Sequence, residues 1–142
     1  MKSKTLATWI ALVGGSLGLH RFYLFGWRDV WGWLHPVPAA LGLYGLHRVR
    51  EFGQDDHAAW VLIPIGGVIV AVAMLNAILY GLTPDERWDR RFAQAGSRSG
   101  WGAVIGVILA LMLGAGVLMA TIAFSGQRYF EYQVEEARKI SR

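Results

Sequence analysis

Residues 58–82 read AAWVLIPIGGVIVAVAMLNAILYGL and residues 101–124 read WGAVIGVILALMLGAGVLMATIAF, and neither stretch holds a charged side chain. A helix rises about 1.5 Å per residue, so crossing about 30 Å of hydrocarbon takes roughly 17–25 apolar residues. Both stretches are long enough. Asn76 is the one strongly polar side chain of the first, and Thr121 the one hydroxyl near the end of the second. Two membrane-crossing helices are expected here, and the rest of the chain is read around them.

Composition agrees. Of 142 residues, 54% are hydrophobic and 17% charged, with a mean hydropathy of +0.35; an ordinary soluble domain carries about 25% charged residues. The length suits one compact unit. The chain has no cysteine, which removes a disulfide framework, a thiolate nucleophile and cysteine-based zinc or iron–sulfur sites. The net charge of +4 is spread over loops and both ends rather than gathered in one patch, so no nucleic-acid partner is expected.

The first half is less regular. Residues 6–19 are apolar but short, and run into His20-Arg21 before Phe22-Tyr23-Leu24-Phe25 resumes. Residues 30–46 are also short and carry His35-Pro36-Val37-Pro38, where each proline removes a backbone donor and favours a kink. Two short, bent spans joined by a tight turn at Gly26 are the expectation, with Arg21 and Arg28 snorkelling to the headgroups. Lys2, Lys4 and residues 6–19 also have the outline of a signal peptide, but Gly18-Leu19-His20 is a poor cleavage site.

The expected fold is therefore all-α and polytopic: four transmembrane helices in two hairpins. Residues 1–50 form the first hairpin, 51–57 a polar loop, 58–126 the second hairpin, and 127–142 a polar helical tail. Between the third and fourth spans, Thr83 as N-cap, Pro84 and Glu86 read as a capping box that opens a short helix over 84–95, ending near Gly96. Trp88, Phe92 and Ala95 share one face, so this helix is expected to lie flat on the membrane, anchored by Trp88, Arg91 and Phe92. Most of the seven tryptophans fall near predicted helix ends, at headgroup depth. With four spans both termini share a side; that side holds eight lysines and arginines against six, which favours cytoplasmic termini.

Gly102, Gly106, Ala110 and Gly114 recur at four-residue intervals, a smooth stripe on which another helix packs closely. Gly14, Gly15 and Gly18 offer its counterpart within the chain; a seam to a second copy, or to another membrane protein, is the other use of such a stripe. These glycines lack the spacing and preceding strand of a nucleotide fingerprint. His35 and Asn76 fall at mid-span, where a polar side chain defaults to a functional hypothesis, here a polar pathway. The four histidines show no metal-ligand spacing, no serine sits in a nucleophile elbow, and no carboxylate pair marks a cleft. No enzyme activity, metal or cofactor is expected.

Residues 14–26, GGSLGLHRFYLFG, resemble the turn of the TM-two domain family, a two-helix membrane hairpin. The likeness covers about residues 2–48: a lysine-flanked first helix, a glycine pair, then Gly18, His20, Arg21, Phe22, Tyr23 and Gly26, with Phe25 as an extra residue before that last glycine. It implies a hairpin whose Arg21 meets headgroup phosphate while Phe22 and Tyr23 anchor the turn. The second half looks like an extension found in some bacterial relatives, which implies the bacterial plasma membrane. Animal members carry aspartate where this chain has His20, so the receptor analogy drawn from that motif does not transfer. The expected role is structural or accessory, through helix–helix and lipid contacts; the alternative is a small oligomeric transporter or channel using His35 and Asn76.

Overall fold

A computed structural model describes residues 2–92, 96 and 98–141, and every regular element among them is helical. In chain order these are α1 (Lys4–Gly14), a 3₁₀ turn (Gly15–Leu17), α2 (Leu19–Phe25), α3 (Val30–Leu34), α4 (Pro36–Phe52), α5 (His57–Leu82), α6 (Asp85–Phe92) and α7 (Trp101–Ile140).

α5 and α7 follow the two uncharged stretches and pack antiparallel. Gly81 lies against Ala103 and Val107, Gly114 against Met74, and Gly67 against Thr121. Beyond them the Arg128 guanidinium sits 5.4 Å from the Trp60 ring, and His57 Nε2 lies 3.3 Å from Glu135. α4 packs on α5 through bare backbone: a Cβ at Gly42 would strike Gly66, and one at Gly45 would strike Leu62 and Ile63. α7 continues unbroken to Ile140, about 60 Å of helix, so the tail extends the last helix as expected.

These contacts define two ends of the bundle. The N-end holds residues 2–4, the close of α5 and α6; the C-end holds the α4–α5 turn and the tail of α7. α5 and α7 are the two helices long and apolar enough to cross a membrane, and only 17% and 22% of their most apolar stretches are buried within the chain. The core helix of a soluble fold would be mostly buried.

The first half departs from the expectation of a short, bent first span running on to the turn at Gly26. Helix spacing over 22 residues would set Lys2 and Leu24 about 33 Å apart. Instead the Lys2 ammonium donates to the Leu24 carbonyl, and Ser3 N–H donates to the Tyr23 hydroxyl at 2.8 Å. α1 stops at Gly14, the chain turns through the 3₁₀ segment and Gly18 at φ +77°, and α2 runs back beside α1 to the N-end. α3 then starts inward again, and His35, still helical at φ −68° and ψ −43°, leads into α4. Residues 30–52 thus form one interrupted helix of roughly 34 Å, broken where Pro36 and Pro38 remove donors.

The expected capping box is also corrected. The Thr83 hydroxyl turns back to donate to the Leu79 carbonyl at 2.6 Å, closing α5 rather than opening α6. Asp85 instead accepts from Ser99 N–H at 2.9 Å and from the buried Lys4 ammonium, which also donates to the Thr83 carbonyl at 3.0 Å. Ala95 and its neighbours 93 and 94 lie outside the described residues.

Candidate functional site

The α1–α2–α3 turnaround is where the chain's unusual chemistry gathers. Glycines make it possible. Gly18 has the left-handed φ that other residues avoid, and a Cβ there would collide with the Gly32 carbonyl; one at Gly32 would collide with the Phe22 ring. α2 and α3 therefore touch through backbone, and the side chains between them are sealed in.

His20 is one of these, with no exposed surface. Its ring meets the His35 ring edge-on at 5.2 Å, and Tyr80 of α5 lies 5.8 Å away. His35 Nδ1 is 2.6 Å from the Trp31 carbonyl, so it donates there. Among the described residues, neither His20 nitrogen nor His35 Nε2 has a hydrogen-bond partner. Buried polar atoms are normally paired, which makes this the least satisfied place in the interior.

Arg21 sits at the rim of the same turn and is engaged with Asp29. Its Nη2 donates to Asp29 Oδ1 at 3.1 Å and its Nε to Oδ2, a bidentate pair with the partners 24% and 13% exposed. Asp29 also accepts from Gly32 N–H at 2.9 Å and so caps α3. The Arg21 pair holds the Asp29 carboxyl below the usual carboxylate range. Phe22 stacks on Trp27 at 5.0 Å and against Trp33 at 5.1 Å. Tyr23 is engaged with Ser3, as above.

Three other expectations change. Trp88 is 1% exposed: it packs on Ala7 and Leu24, and its indole donates to the Lys2 carbonyl at 2.8 Å. It pins α6 onto the α1–α2 hairpin and is unavailable as a headgroup anchor. The Phe92 ring packs tilted against Trp88 at 4.6 Å, and the Arg91 guanidinium lies 5.8 Å from both Phe25 and Phe92. The α7 stripe packs within the chain, but Gly102 and Gly106 meet Thr5, Thr8 and Trp9, Gly114 meets Met74, and Ala110 is buried with Ala11, Ala73 and Ala77. Gly14 and Gly15 face Leu19 and Ala73 instead. Asn76 is half-buried on α5 and is not among the ring or hydrogen-bond partners of His35.

A feature not expected from the motif alone is that the turn occurs twice. Twenty-seven positions apart, Gly15, Gly18, Leu19, His20, Arg21, Phe25, Gly26, Asp29 and Trp33 recur as Gly42, Gly45, Leu46, His47, Arg48, Phe52, Gly53, Asp56 and Trp60. The geometry recurs too. Gly26 and Gly53 share φ +86°. Arg48 grips Asp56 at 2.7 and 2.9 Å, and Asp56 caps α5 through Ala59 N–H at 3.2 Å. Arg21 lies 4.8 Å over Phe25, and Arg48 4.9 Å over Phe52. Trp33 and Trp60 each donate an indole N–H, at 2.8 Å, to a carbonyl six residues back. The chain enters the first turn along α2 toward the N-end and the second along α4 toward the C-end, so one device caps both ends in opposite orientation. Comparing the sequence with itself at that offset would have found it. The copies differ where it matters for chemistry: His20 is sealed in, whereas His47 is exposed and lies 3.1 Å from Glu51.

Among the described residues no three His, Asp or Glu side chains converge as a metal set. Compared with family models, curated proteins and solved structures, this chain has no significant match.

Proposed function

We propose that this chain is a small integral membrane protein that works as a structural or accessory component, through helix–helix and lipid contacts, in the bacterial plasma membrane. One observation carries the reading: α5 and α7 turn most of their apolar side chains outward, with Val61, Leu75, Leu79, Leu111, Met112 and Met119 more than half exposed. In water that surface would be a severe liability; in hydrocarbon it is the solvated face. The TM-two likeness of residues 14–26 is part of the proposal, with the hairpin as re-entrant: α1 and α2 enter and leave by the N-end, while residues 30–52, α5 and α7 cross.

Three crossings put the two ends of the chain on opposite sides. Lys2, Lys4, Arg21, Arg28, Arg87, Arg90, Arg91 and Arg98 then share the N-end, whereas near the C-end lie Arg48, Arg50 and Arg128, with Arg138, Lys139 and Arg142 in the tail sequence that follows. That asymmetry supports a cytoplasmic N-end. It also removes the conflict of the four-span arithmetic, which set the arginine-rich 84–98 segment against the N-terminus. Alkaline carbonate extraction of membranes from expressing cells tests the core of the reading: the chain is expected in the pellet, and release into the supernatant rules out an integral protein.

A second reading, proton or ion conduction, draws on the unpartnered nitrogens of His20 and His35. It expects proton flux in proteoliposomes that His20→Ala abolishes; flux equal to that of empty vesicles rejects it.

A further inference from the structure

Because α1 and α2 reach only part of the way across, the space below their turn is left without protein. The structure holds a cavity there of about 600 Å³, roofed by Ser16 and Leu17 and walled by Gly42, Gly66, Val117 and Phe124 on α4, α5 and α7. Its walls are almost wholly apolar, and the glycines hollow it out. Along α7, Val117 to Arg128 spans about 16 Å of helix, which matches about 15 Å, half the hydrocarbon thickness.

At its C-end stands Arg128. The guanidinium lies 5.2 Å from the ring of Phe124, which lines the cavity, and 5.4 Å from Trp60. The side chain is 11% exposed, and although Nη1 donates to Glu131, the buried Nε has no partner. Arg128 is not itself a wall of the cavity but stands one helical turn beyond Phe124, and a cation there with an unmet donor is matched by an anionic oxygen toward which the side chain turns.

We propose that this cavity holds one phospholipid of the C-end leaflet, an acyl chain in the slot and the phosphate at Arg128. The proposal rests on the membrane reading above and adds a specific, retained ligand to it. A second copy of the chain fits less well, since one inserted helix would have to supply both a leaflet-length apolar ridge and an acceptor for Arg128 Nε. The lipid supplies both in one molecule.

Native mass spectrometry of the full chain in mild detergent tests it, with phosphatidylglycerol and phosphatidylcholine of matched acyl chains offered in equal amounts. The wild type is expected to retain one phospholipid; both lipids offer a phosphate, and the net anionic one is preferred about tenfold because it brings no choline cation beside Arg128. Arg128→Gln should abolish the preference. Arg128→Lys, which keeps the charge without Nε, should retain part of it. Ala120→Leu, which fills the cavity wall, should lower retention of both lipids. Circular dichroism of each variant separates these effects from misfolding. A wild type that keeps no lipid, an Arg128→Gln variant that behaves as wild type, or a lipid-free dimer overturns the proposal. Each of those results leaves the chain in the carbonate pellet, so failure of the membrane reading is seen separately.

Discussion

Gly18, at φ +77° and against the Gly32 carbonyl, decides whether the α1–α2 hairpin closes. An alanine there incurs both a left-handed backbone and a collision with main chain that cannot rotate away. Gly18→Ala is expected to destabilise the protein by about 2–4 kcal/mol. Gly116 is the opposite case: it is helical, and a methyl group added there would meet nothing within 4 Å. Gly116→Ala should stabilise by about 0.5–1 kcal/mol. Thermal unfolding in detergent ranks the two, and equal effects would remove the hairpin's dependence on Gly18. Asp85 makes a pH prediction at the same scale. Hydrogen bonds from Lys4 and Ser99 lower its carboxyl from 3.8 to about 2. A group depressed on folding contributes stability that is complete above the unfolded value and lost as pH falls through the folded one. Asp85→Asn should therefore be less stable than wild type near neutrality, with the gap narrowing between about pH 4 and pH 2. A gap that does not change with pH means that the Lys4–Asp85 contact contributes nothing through charge.

The helix–turn–helix device built on Arg21 and Asp29, and again on Arg48 and Asp56, is the element that organises both ends of the bundle. In each copy the aspartate has two tasks, capping the next helix and pairing with an arginine eight residues back. Asparagine keeps the cap and loses the ion pair; alanine loses both. The alanine variant at Asp29, and likewise at Asp56, should be less stable than the asparagine variant by about 1 kcal/mol. Chemical denaturation of the four variants checks this, and a difference at only one turn means the copies share sequence but not mechanics. His20 and His47 show how a repeat diverges: the same residue is buried where α2 folds back on α1 and α3, and solvated where α4 simply ends. Trp88 makes the related point for α6, whose short apolar face covers the hairpin's open end.

Across the whole molecule, the proposed three-crossing arrangement differs from the four-span one in parity, because α1 and α2 double back. Single cysteines at Ser3, Gln54 and Ser141, in a chain that has none of its own, test this with an impermeant thiol reagent on intact cells. Gln54 and Ser141 are expected to label and Ser3 to stay protected. Labelling of all three alike restores the four-span arrangement, and the reverse pattern inverts the bundle. The same parity underlies the lipid site, since a first helix that crossed fully would occupy the cavity below Ser16 and Leu17.

α5 and α7 were legible from sequence because an uncharged run of more than twenty residues has no face to offer water, whatever its neighbours do. The turn at Gly26 was legible for a similar local reason: glycine tolerates a φ that a side chain resists. The fate of residues 6–19 was not. Their apolar length suits a short span or half a span equally, and the choice rests on contacts twenty and eighty residues away, Lys2 with Leu24 and Lys4 with Asp85. Nor does local pattern say that Arg21 pairs with Asp29, or that Trp88 is buried. Those outcomes are set by which helices are brought side by side, and only the tertiary structure decides that.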